Sequence, residues 1–401
     1  MMLNVVSMEE ALRITEAEFA SYETGTEWLN ISECLGRVLA QDIVSAENIP
    51  PFDRSTVDGY AVLSSDTFGA GESIPAMLSL TGEILMGEEA KDTVSNGRCI
   101  KISTGGMLPK GADSVVMVEH TEQMLDGTCL VHKAVSPYQN VTQKGDDVKI
   151  GQTVINKGVK LTSKHIGILC ALGITEVECV KKIKVGIISS GDEIVSVGES
   201  VPLGKIRDIN SHFLASLMKE NGYEAIEYGI VKDDFDELYD ILQKATDECD
   251  AVLISGGSSA GAKDMTAAVI DKNGEVFFHG IAVKPGKPTI FGKVNGKAVF
   301  GLPGHPAAAY LIAKTVVMNL LRFCSKQDNK LLTVSAEITE SISSNHGREE
   351  LVPVIFENGK AQPLFFKSGL VSLLSSADGF VVIPRNREGF FKDENVTVHL
   401  F

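Results

Sequence analysis

Basic residues and aromatic residues are both scarce in this chain of 401 residues. Lys and Arg together number 37 against 53 Asp and Glu, which gives a formal net charge of −16 at pH 7. So acidic a protein repels nucleic acids and anionic membranes, and we expect neither as a partner. A phosphate-bearing ligand has to bind in a local pocket, against the field of the whole chain. Aromatic residues make up only 6%, but the hydrophobic fraction of 44% is typical of a globular protein.

The seven cysteines are scattered and include no Cys-x-x-Cys pair. This pattern excludes a zinc site of paired cysteines, gives no disulfide framework and is typical of reduced thiols in a cytoplasm. The first nine residues carry no basic residue before their short apolar stretch, so we expect no secretory signal. No uninterrupted apolar run approaches the roughly 18 residues of a membrane span. We therefore expect a cytoplasmic protein.

Several motifs of common enzyme classes are missing. The sequence has no Walker A motif, no G-x-G-x-x-G after the first α/β strand, no H-E-x-x-H and no G-x-S-x-G. These absences argue against P-loop ATP hydrolysis, Rossmann dinucleotide binding, zinc proteolysis and α/β-hydrolase chemistry. The eight histidines are dispersed, so a histidine-based metal centre has no support.

The spacing of apolar residues predicts a multidomain chain of α/β plus β class. A capping box at Ser7 and Glu10 predicts a first helix, and a second is expected near residues 32–41. Short strands between frequent turns predict a β-rich insert. Apolar strands alternating with amphipathic helices then predict a parallel sheet, and Asn358-Gly359 predicts a hairpin in a final β unit. The predicted domains are residues 1–48 with 144–178 (helical and linker), 49–143 (insert), 179–328 (α/β) and 329–401 (C-terminal, β-barrel-like).

Three glycine-containing loops follow strands of the predicted α/β sheet, at residues 189–193, 255–261 and 301–306. In an open α/β sheet, ligands bind beyond the carboxyl ends of the strands. Glycines let backbone N–H groups approach an anion, and helix N-termini attract one. We therefore expect a phosphorylated or otherwise oxyanionic ligand at this edge. The alternative for any single loop is a tight turn with a helix cap.

A second candidate anion site is the segment 283–288, which we call the cation loop. It carries Lys284 and Lys287, each followed by a proline, and the prolines lower the entropic cost of presenting both charges together. Arg348 could supply a bidentate guanidinium to the same anion. The alternatives are solvated surface lysines and a salt bridge at the rim.

Acidic residues stand beside glycines and at strand ends, at Asp58, Asp147, Asp233, Glu193 and Asp264. Capping of helix N-termini is the ordinary role of such residues. Together they could instead hold Mg²⁺, which prefers carboxylates combined with substrate phosphate and water. One of them could also orient a water molecule for attack on an anhydride.

Taken in order, these motifs resemble the MoeA-type molybdopterin molybdenumtransferases, a family that includes the gephyrin E-domain. The resemblance covers nearly the whole chain and is carried by residues 52–61, 102–113, 144–147, 190–193, 255–257, 284–288 and 301–304. It implies an elongated homodimer with a molybdopterin-binding α/β domain. It also implies a cleft between subunits, in which the Asp58 region of one subunit reaches toward the α/β domain of the other.

The resemblance also implies a reaction and a set of residues. Adenylated molybdopterin receives the metal of molybdate, and its phosphoanhydride is hydrolysed with Mg²⁺ to release AMP. The implied catalytic residues are Asp58, Asp147, Glu193, Asp233 and Asp264, with Glu193 and Asp264 on the metal. The implied substrate-binding residues are Thr104, Ser190, Gly191, Ser255, Gly256, Gly257, Lys284, Lys287, Pro303, Gly304, Arg348 and Ser368. A molybdopterin adenylyltransferase and downstream cofactor-delivery proteins are the implied protein partners.

Some positions depart from the family pattern. Arg54, Thr56 and Val57 stand where Asn, Ala and Met are commonest, and His305 replaces a common Asn. These departures leave open whether the metal oxyanion is molybdate or tungstate. Two further alternatives are a non-catalytic molybdopterin-binding scaffold and another phosphoanhydride-acting enzyme. The retained Lys284, Lys287 and Asp264 favour an active enzyme.

Overall fold

The computed structural model describes residues 5–256, 260–327, 332–345, 347–365 and 371–401, together with their side chains except those of residues 260–264. Three six-stranded sheets and a few helices make up most of this part of the chain. The predicted α/β plus β class is confirmed.

The first helix, Met8–Glu18, packs against the core of the α/β region. Ser7 caps it by accepting a hydrogen bond from the backbone N–H of Glu10 at 3.1 Å, as the capping box predicts. Met8 and Ala11 are buried in the same hydrophobic cluster as the α/β strands. Glu16 accepts a hydrogen bond from Asn319 on the distant helix Met318–Cys324 at 2.7 Å.

A small unit follows, built from two short sheets and one helix. Its elements are the antiparallel pairs Thr26–Asn30 with Glu176–Val180 and Ile43–Val44 with Thr153–Ile155, and the helix Ser163–Ala171. The prediction of a helix over residues 32–41 is wrong. Only a 3-10 turn, Ile31–Glu33, forms there, and Gly36 adopts a φ of 78°, which ends any helical path. Val38 and Leu39 then make isolated β-bridges to Lys160 and Cys179.

The insert is a six-stranded sheet with a hydrophobic cluster on each face. Its strands in spatial order are Ser114–Met117, Gly59–Val62, Arg98–Ile102, Ala76–Ile84, Thr128–Val131 and Thr121–Gln123. The short pair Arg54–Ser55 with Val141–Thr142 closes its base, and 3-10 turns occur at Ser64–Thr67 and Val118–His120. A β-rich insert is therefore what the structure has.

The α/β region is a six-stranded mixed sheet with helices packed against it. In spatial order its strands are Glu224–Val231, Lys184–Ser190, Ala251–Gly256, Lys297–Leu302, Ile290–Val294 and Gly274–His279. The first four are parallel, as predicted, whereas Ile290–Val294 runs antiparallel to both of its neighbours, Lys297–Leu302 and Gly274–His279. The helices are Asn210–Glu220, Phe235–Glu248, Ala260–Asn273 and the long helical segment from Pro306 to Cys324. A small parallel pair, Ile194–Val195 with Ile206–Arg207, sits in the loop before Asn210.

The long helical segment Pro306–Cys324 consists of Pro306–Ile312, a π-helical turn Ala313–Val317 and Met318–Cys324. By length and composition it could cross a membrane, which the sequence analysis did not foresee because Lys314 and Arg322 interrupt its apolar run. Of the most apolar part of this segment, 72% is buried inside the protein. Its apolar side chains therefore form part of the α/β core.

The C-terminal region closes into a five-stranded barrel. Around the barrel the strands are Glu349–Glu357, Lys360–Pro363, Thr333–Ile338, Asn395–Leu400 and Gly379–Ile383, and the last pairs with the first. The predicted hairpin at Asn358-Gly359 is confirmed, with φ values of 51° and 75° that fit its tight turn. Ile342–Ser343 pairs with Gly389–Phe390 beside the barrel, and a short helix, Val371–Leu374, precedes Gly379–Ile383.

One short segment joins three regions of the chain. Val283–Lys284 leaves the α/β region and pairs in parallel with Glu349–Glu350 of the barrel. Immediately before it, the backbone of Val6 exchanges hydrogen bonds with Gly280 and Ala282, at 3.1 and 2.7 Å. The start of the cation loop is therefore fixed by backbone hydrogen bonds to Val6 and to the barrel.

Candidate functional site

The first half of the candidate site lies at the carboxyl edge of the parallel strands, and we call it the edge site. Ser190 and Ser255 are buried at the ends of adjacent strands, and Gly256 follows Ser255. The Asn210 side-chain amide donates to Ser255 Oγ at 2.6 Å and to the Gly304 carbonyl at 2.9 Å. Asn210 thereby ties two of the three glycine-containing loops together. The structure thus brings Ser190, Gly191, Ser255, Gly256 and Gly304 to one sheet edge.

Asn210 was missed by the sequence analysis. It is 93% buried at the first position of a helix, and its Oδ1 has no hydrogen-bond partner among the described residues. A buried, unpaired carbonyl oxygen carries a desolvation cost, which a ligand donor could relieve. An Asn at a helix start is ordinarily assigned to capping, so its sequence position gave no signal for this role.

A buried carboxylate stabilises the backbone beneath the edge site. Asp208 accepts hydrogen bonds from Ser189 Oγ at 3.0 Å, and from the Ser211 backbone N–H and hydroxyl at 3.1 and 2.6 Å. All three residues are at least 95% buried. Because its polar partners are satisfied in a low-dielectric interior, this network holds strand end and helix start in one geometry.

The acidic residues of the edge site lie beside Ser190. Ser190 Oγ donates to Asp233 Oδ1 at 2.9 Å, and Asp192 Oδ1 accepts from the Asp233 backbone N–H at 3.4 Å. Glu193 is half-buried, and its carboxylate lies close to Gly191, since a methyl group built there would be 2.9 Å from Oε2. Asp234, by contrast, caps the helix Phe235–Glu248.

The described residues contain no cluster of three or more His, Cys, Asp or Glu side chains able to hold a metal ion alone. The carboxylates of the edge site still fit Mg²⁺, which takes one or two carboxylates and completes its coordination shell with substrate phosphate and water. Glu193 is available at the edge site for such a role. The Asp264 side chain, Gly257 and Ser368 lie outside the described part of the structure.

The second half of the site is a cavity of about 610 Å³ between the α/β region and the barrel. Lys284, Lys287 and Arg348 all line it, so the structure brings together the three basic residues predicted to bind one anion. Pro303, a predicted substrate-binding residue, lines it as well. The barrel supplies an apolar wall that includes Leu351, Val352, Pro353, Leu364 and Phe365. A cavity with cations on one side can bind an anion, while its apolar wall limits the access of water.

The cation loop is pressed against the long helical segment at Gly286. Gly286 has a φ of 122°, and a methyl group built on it would lie 2.5 Å from Ile312 Cδ1. No larger residue fits there without displacing Ile312. Its close approach therefore sets the positions from which Lys284 and Lys287 reach the cavity.

Glu350 also lines the cavity, and the sequence analysis did not single it out. Lys284 Nζ lies 2.6 Å from Glu350 Oε1, and Ser344 Oγ donates to Glu350 Oε2 at 2.7 Å. The Glu350 side chain is only 12% exposed, against 47% for Lys284. A carboxylate in a cavity of cations is unexpected for an anion site.

The predicted residues Asp58 and Thr104 meet in the insert. Asp58 is exposed and accepts hydrogen bonds from the Thr104 backbone N–H at 2.7 Å and from its hydroxyl at 3.1 Å. These hydrogen bonds, chiefly the backbone one, hold the pKa of Asp58 below its usual range. Gly59 allows the strand after Asp58 to approach Val116, whose carbonyl would lie 1.9 Å from a methyl group on Gly59.

Asp147 is exposed on a turn beside the insert, where its backbone N–H donates to the Ile49 carbonyl at 3.0 Å. Within one chain, the contacts of Asp58 and Asp147 described above are with the insert and its connection. The edge site and the cavity are built instead from the α/β region and the barrel.

Three family models match the chain in sequence order. The MoeA N-terminal region (domain I and II) matches residues 6–173, a probable molybdopterin binding domain matches 186–322, and the MoeA C-terminal region (domain IV) matches 335–401.

Whole-length relatives give the same result. A molybdopterin biosynthesis protein of Methanocaldococcus jannaschii is 35% identical, covering 99% of this chain and 98% of its own length. The molybdopterin molybdenumtransferase of Haemophilus influenzae is also 35% identical, over 95% of both chains. A crystal structure of a molybdopterin biosynthesis MoeA protein from Pyrococcus horikoshii superposes with a TM-score of 0.86 at 40% identity, covering 99% of both chains.

The resemblance stated from the motifs is thereby confirmed along the whole chain. Domain order, fold and sequence all agree with the same family. The chain belongs to the MoeA family of molybdopterin molybdenumtransferases, enzymes of molybdenum cofactor biosynthesis.

Proposed function

We propose that this enzyme transfers the metal of molybdate to adenylated molybdopterin and releases AMP by hydrolysis of the phosphoanhydride. The observation that carries the proposal is the position of Pro303 and Gly304. Pro303 lines the cationic cavity, and the carbonyl of Gly304 is bonded to Asn210 in the edge site. Two anion-binding features thus share one loop, as a reaction between an oxyanion and a phosphorylated pterin requires.

The cavity is the proposed site of the metal oxyanion. Lys284, Lys287 and Arg348 bring three positive charges to it, and molybdate is a tetrahedral dianion. Arg348 offers several donors in a fixed plane, while each lysine offers a compact charge. Ser368 belongs to this proposed site by resemblance to the family.

The edge site is the proposed site of the phosphorylated pterin. Ser190 and Ser255 present hydroxyls, and Gly191 and Gly256 have no side chain to keep a phosphate from the backbone. Gly257 belongs to this proposed site by resemblance to the family. The hydrogen bond from the Ser190 hydroxyl orients Asp233, which supports its proposed role as acceptor of a proton from an attacking water. Glu193 and Asp264 are the proposed Mg²⁺ ligands. Bound Mg²⁺ would neutralise phosphate charge and polarise the phosphorus.

The test is AMP release from adenylated molybdopterin, measured with and without molybdate or tungstate in the presence of Mg²⁺. We expect AMP release to depend on Mg²⁺ and to be coupled to incorporation of one of the two metals into the dithiolene. The oxyanion that supports insertion identifies the metal. Binding of molybdopterin with no AMP release under either condition would instead favour a scaffold.

We propose further that the enzyme works as a homodimer in the cytoplasm, with the insert of one subunit completing the site of the other. The exposed Asp58–Thr104 pair is positioned on the insert, apart from the edge site, which supports a contribution across subunits. Mixing inactive Asp58→Ala and Asp264→Ala proteins should restore up to about a quarter of wild-type AMP release. Random exchange gives half heterodimers, each with one intact site.

The control for this experiment is a mixture of two batches of the same variant, which contains no intact site. Subunit exchange is verified with differently tagged chains. If exchanged heterodimers stay as inactive as the parents, Asp58 and Asp264 do not act in one site across the interface.

A further inference from the structure

The carboxylate of Glu350 lies in the cavity that we propose for the oxyanion. Glu350 is 12% exposed, and both of its oxygens are engaged, Oε1 by Lys284 at 2.6 Å and Oε2 by Ser344 at 2.7 Å. It is therefore a fixed negative charge, held against a cation that the proposed oxyanion also needs. Simple anion capture would favour a neutral residue at this position.

The backbone places Lys284 and Glu350 side by side. Val283–Lys284 and Glu349–Glu350 are paired strands, with Lys284 directly beside Glu350 in the register. Side chains at paired positions lie on the same face of a sheet. The fold therefore holds Lys284 next to Glu350 whether or not the cavity contains an anion.

We propose that Glu350 is a positioning residue that competes with the oxyanion for Lys284, weakening the hold on a dianion so that the metal can leave for the pterin. This inference rests on the proposed function of the cavity. When the oxyanion binds, Lys284 turns toward it and Ser344 keeps Glu350 in place. When the metal is transferred, Lys284 returns to Glu350. The carboxylate limits affinity and thereby supports turnover.

Charge gives the proposal a quantitative signature. Removing a carboxylate from the cavity favours an anion in proportion to the charge of that anion, because Coulomb energy is linear in charge. Perrhenate is tetrahedral, like molybdate, but carries one negative charge instead of two. For Glu350→Gln, we expect molybdate to bind about tenfold more tightly and perrhenate only about threefold.

The experiment is calorimetric titration of the full-length protein with molybdate and with perrhenate at one pH and ionic strength. Glu349→Gln is the matched control, since it removes a carboxylate one residue away that does not line the cavity. We expect much smaller changes for Glu349→Gln with both anions. In AMP-release and metal-insertion assays, Glu350→Gln should lower the turnover rate at saturating molybdate. It should also lower the molybdate concentration that gives half-maximal rate.

The outcomes separate the two proposals. If the wild-type protein binds no molybdate, the proposed role of the cavity fails and this inference with it. If the wild type binds molybdate but Glu350→Gln binds it equally or more weakly, only the role of Glu350 is overturned. Equal gains for molybdate and perrhenate, or faster insertion, also overturn it. Should Glu350→Gln fail to fold, Glu350→Met provides the same comparison without the charge.

Discussion

Lys284→Ala is expected to weaken molybdate binding by roughly 100-fold. A hydrogen bond from a charged donor contributes about 1.5–3 kcal/mol, which corresponds to about 10- to 150-fold in affinity. The upper part of that range is expected because the substitution also strands Glu350, a largely buried carboxylate 2.6 Å from the lost ammonium group. Removing one partner of such a pair leaves an uncompensated charge, which would face the incoming dianion. Titration of the folded variant with molybdate measures the effect.

Two further variants make this test specific. Lys287→Ala removes an exposed lysine from the same loop and should weaken binding less than Lys284→Ala, because Lys287 pairs with no carboxylate among the described residues. The double variant Lys284→Ala with Glu350→Gln should recover part of the lost affinity. Molybdate affinity unchanged by Lys284→Ala would remove this lysine from the oxyanion site.

Glu193→Gln is expected to slow Mg²⁺-dependent AMP release by roughly 10²–10³-fold, the usual cost of losing one electrostatic contact that acts in the transition state. Glu193 is half-buried at the edge site, directly after Asp192 and two residues after Gly191. Gln preserves its shape but cannot neutralise a cation. The Mg²⁺ concentration giving half-maximal rate should therefore rise as well.

Glu199→Gln is the matched control for Glu193, because Glu199 is exposed in the same loop and its backbone carbonyl, not its carboxylate, accepts from Arg207. We expect near-normal AMP release from it. Asp264→Asn should resemble Glu193→Gln, since Asn has the shape of Asp but would bind Mg²⁺ poorly. An unaltered rate and Mg²⁺ dependence in folded Glu193→Gln would exclude the assigned role.

Local signals predicted most strands and helices of the fold, and they failed where a second signal was overlooked. Asn358-Gly359 correctly predicted a hairpin. The same dipeptide occurs at Asn295-Gly296, with φ values of 50° and 75°, and forms the turn between Ile290–Val294 and Lys297–Leu302. Reading it would have revealed that the α/β sheet ends in antiparallel strands. Over residues 32–41, apolar spacing suggested a helix that Gly36 and long-range strand pairing prevent.

The candidate site shows a similar limit. Glycines, prolines and lysines in short segments indicated the two anion-binding features, because their chemistry is local. Asn210 and Glu350 were missed because their roles depend on partners that are distant along the chain. The partners of Asn210 are 45 and 94 residues away, and Lys284 is 66 residues from Glu350. The predicted domain boundaries and the roles of the individual residues remain predictions.

The parallel pairing of Val283–Lys284 with Glu349–Glu350 has a mechanical consequence. Because the barrel is joined to the cation loop by strand hydrogen bonds, it cannot swing away like a hinged cover without breaking them. Val6 also forms backbone hydrogen bonds with Gly280 and Ala282, just before this segment, and holds it further. The cavity wall is thus stiff where Lys284 and Glu350 meet. Ligands therefore have to enter and leave through side-chain rotation and movement of other parts of the rim.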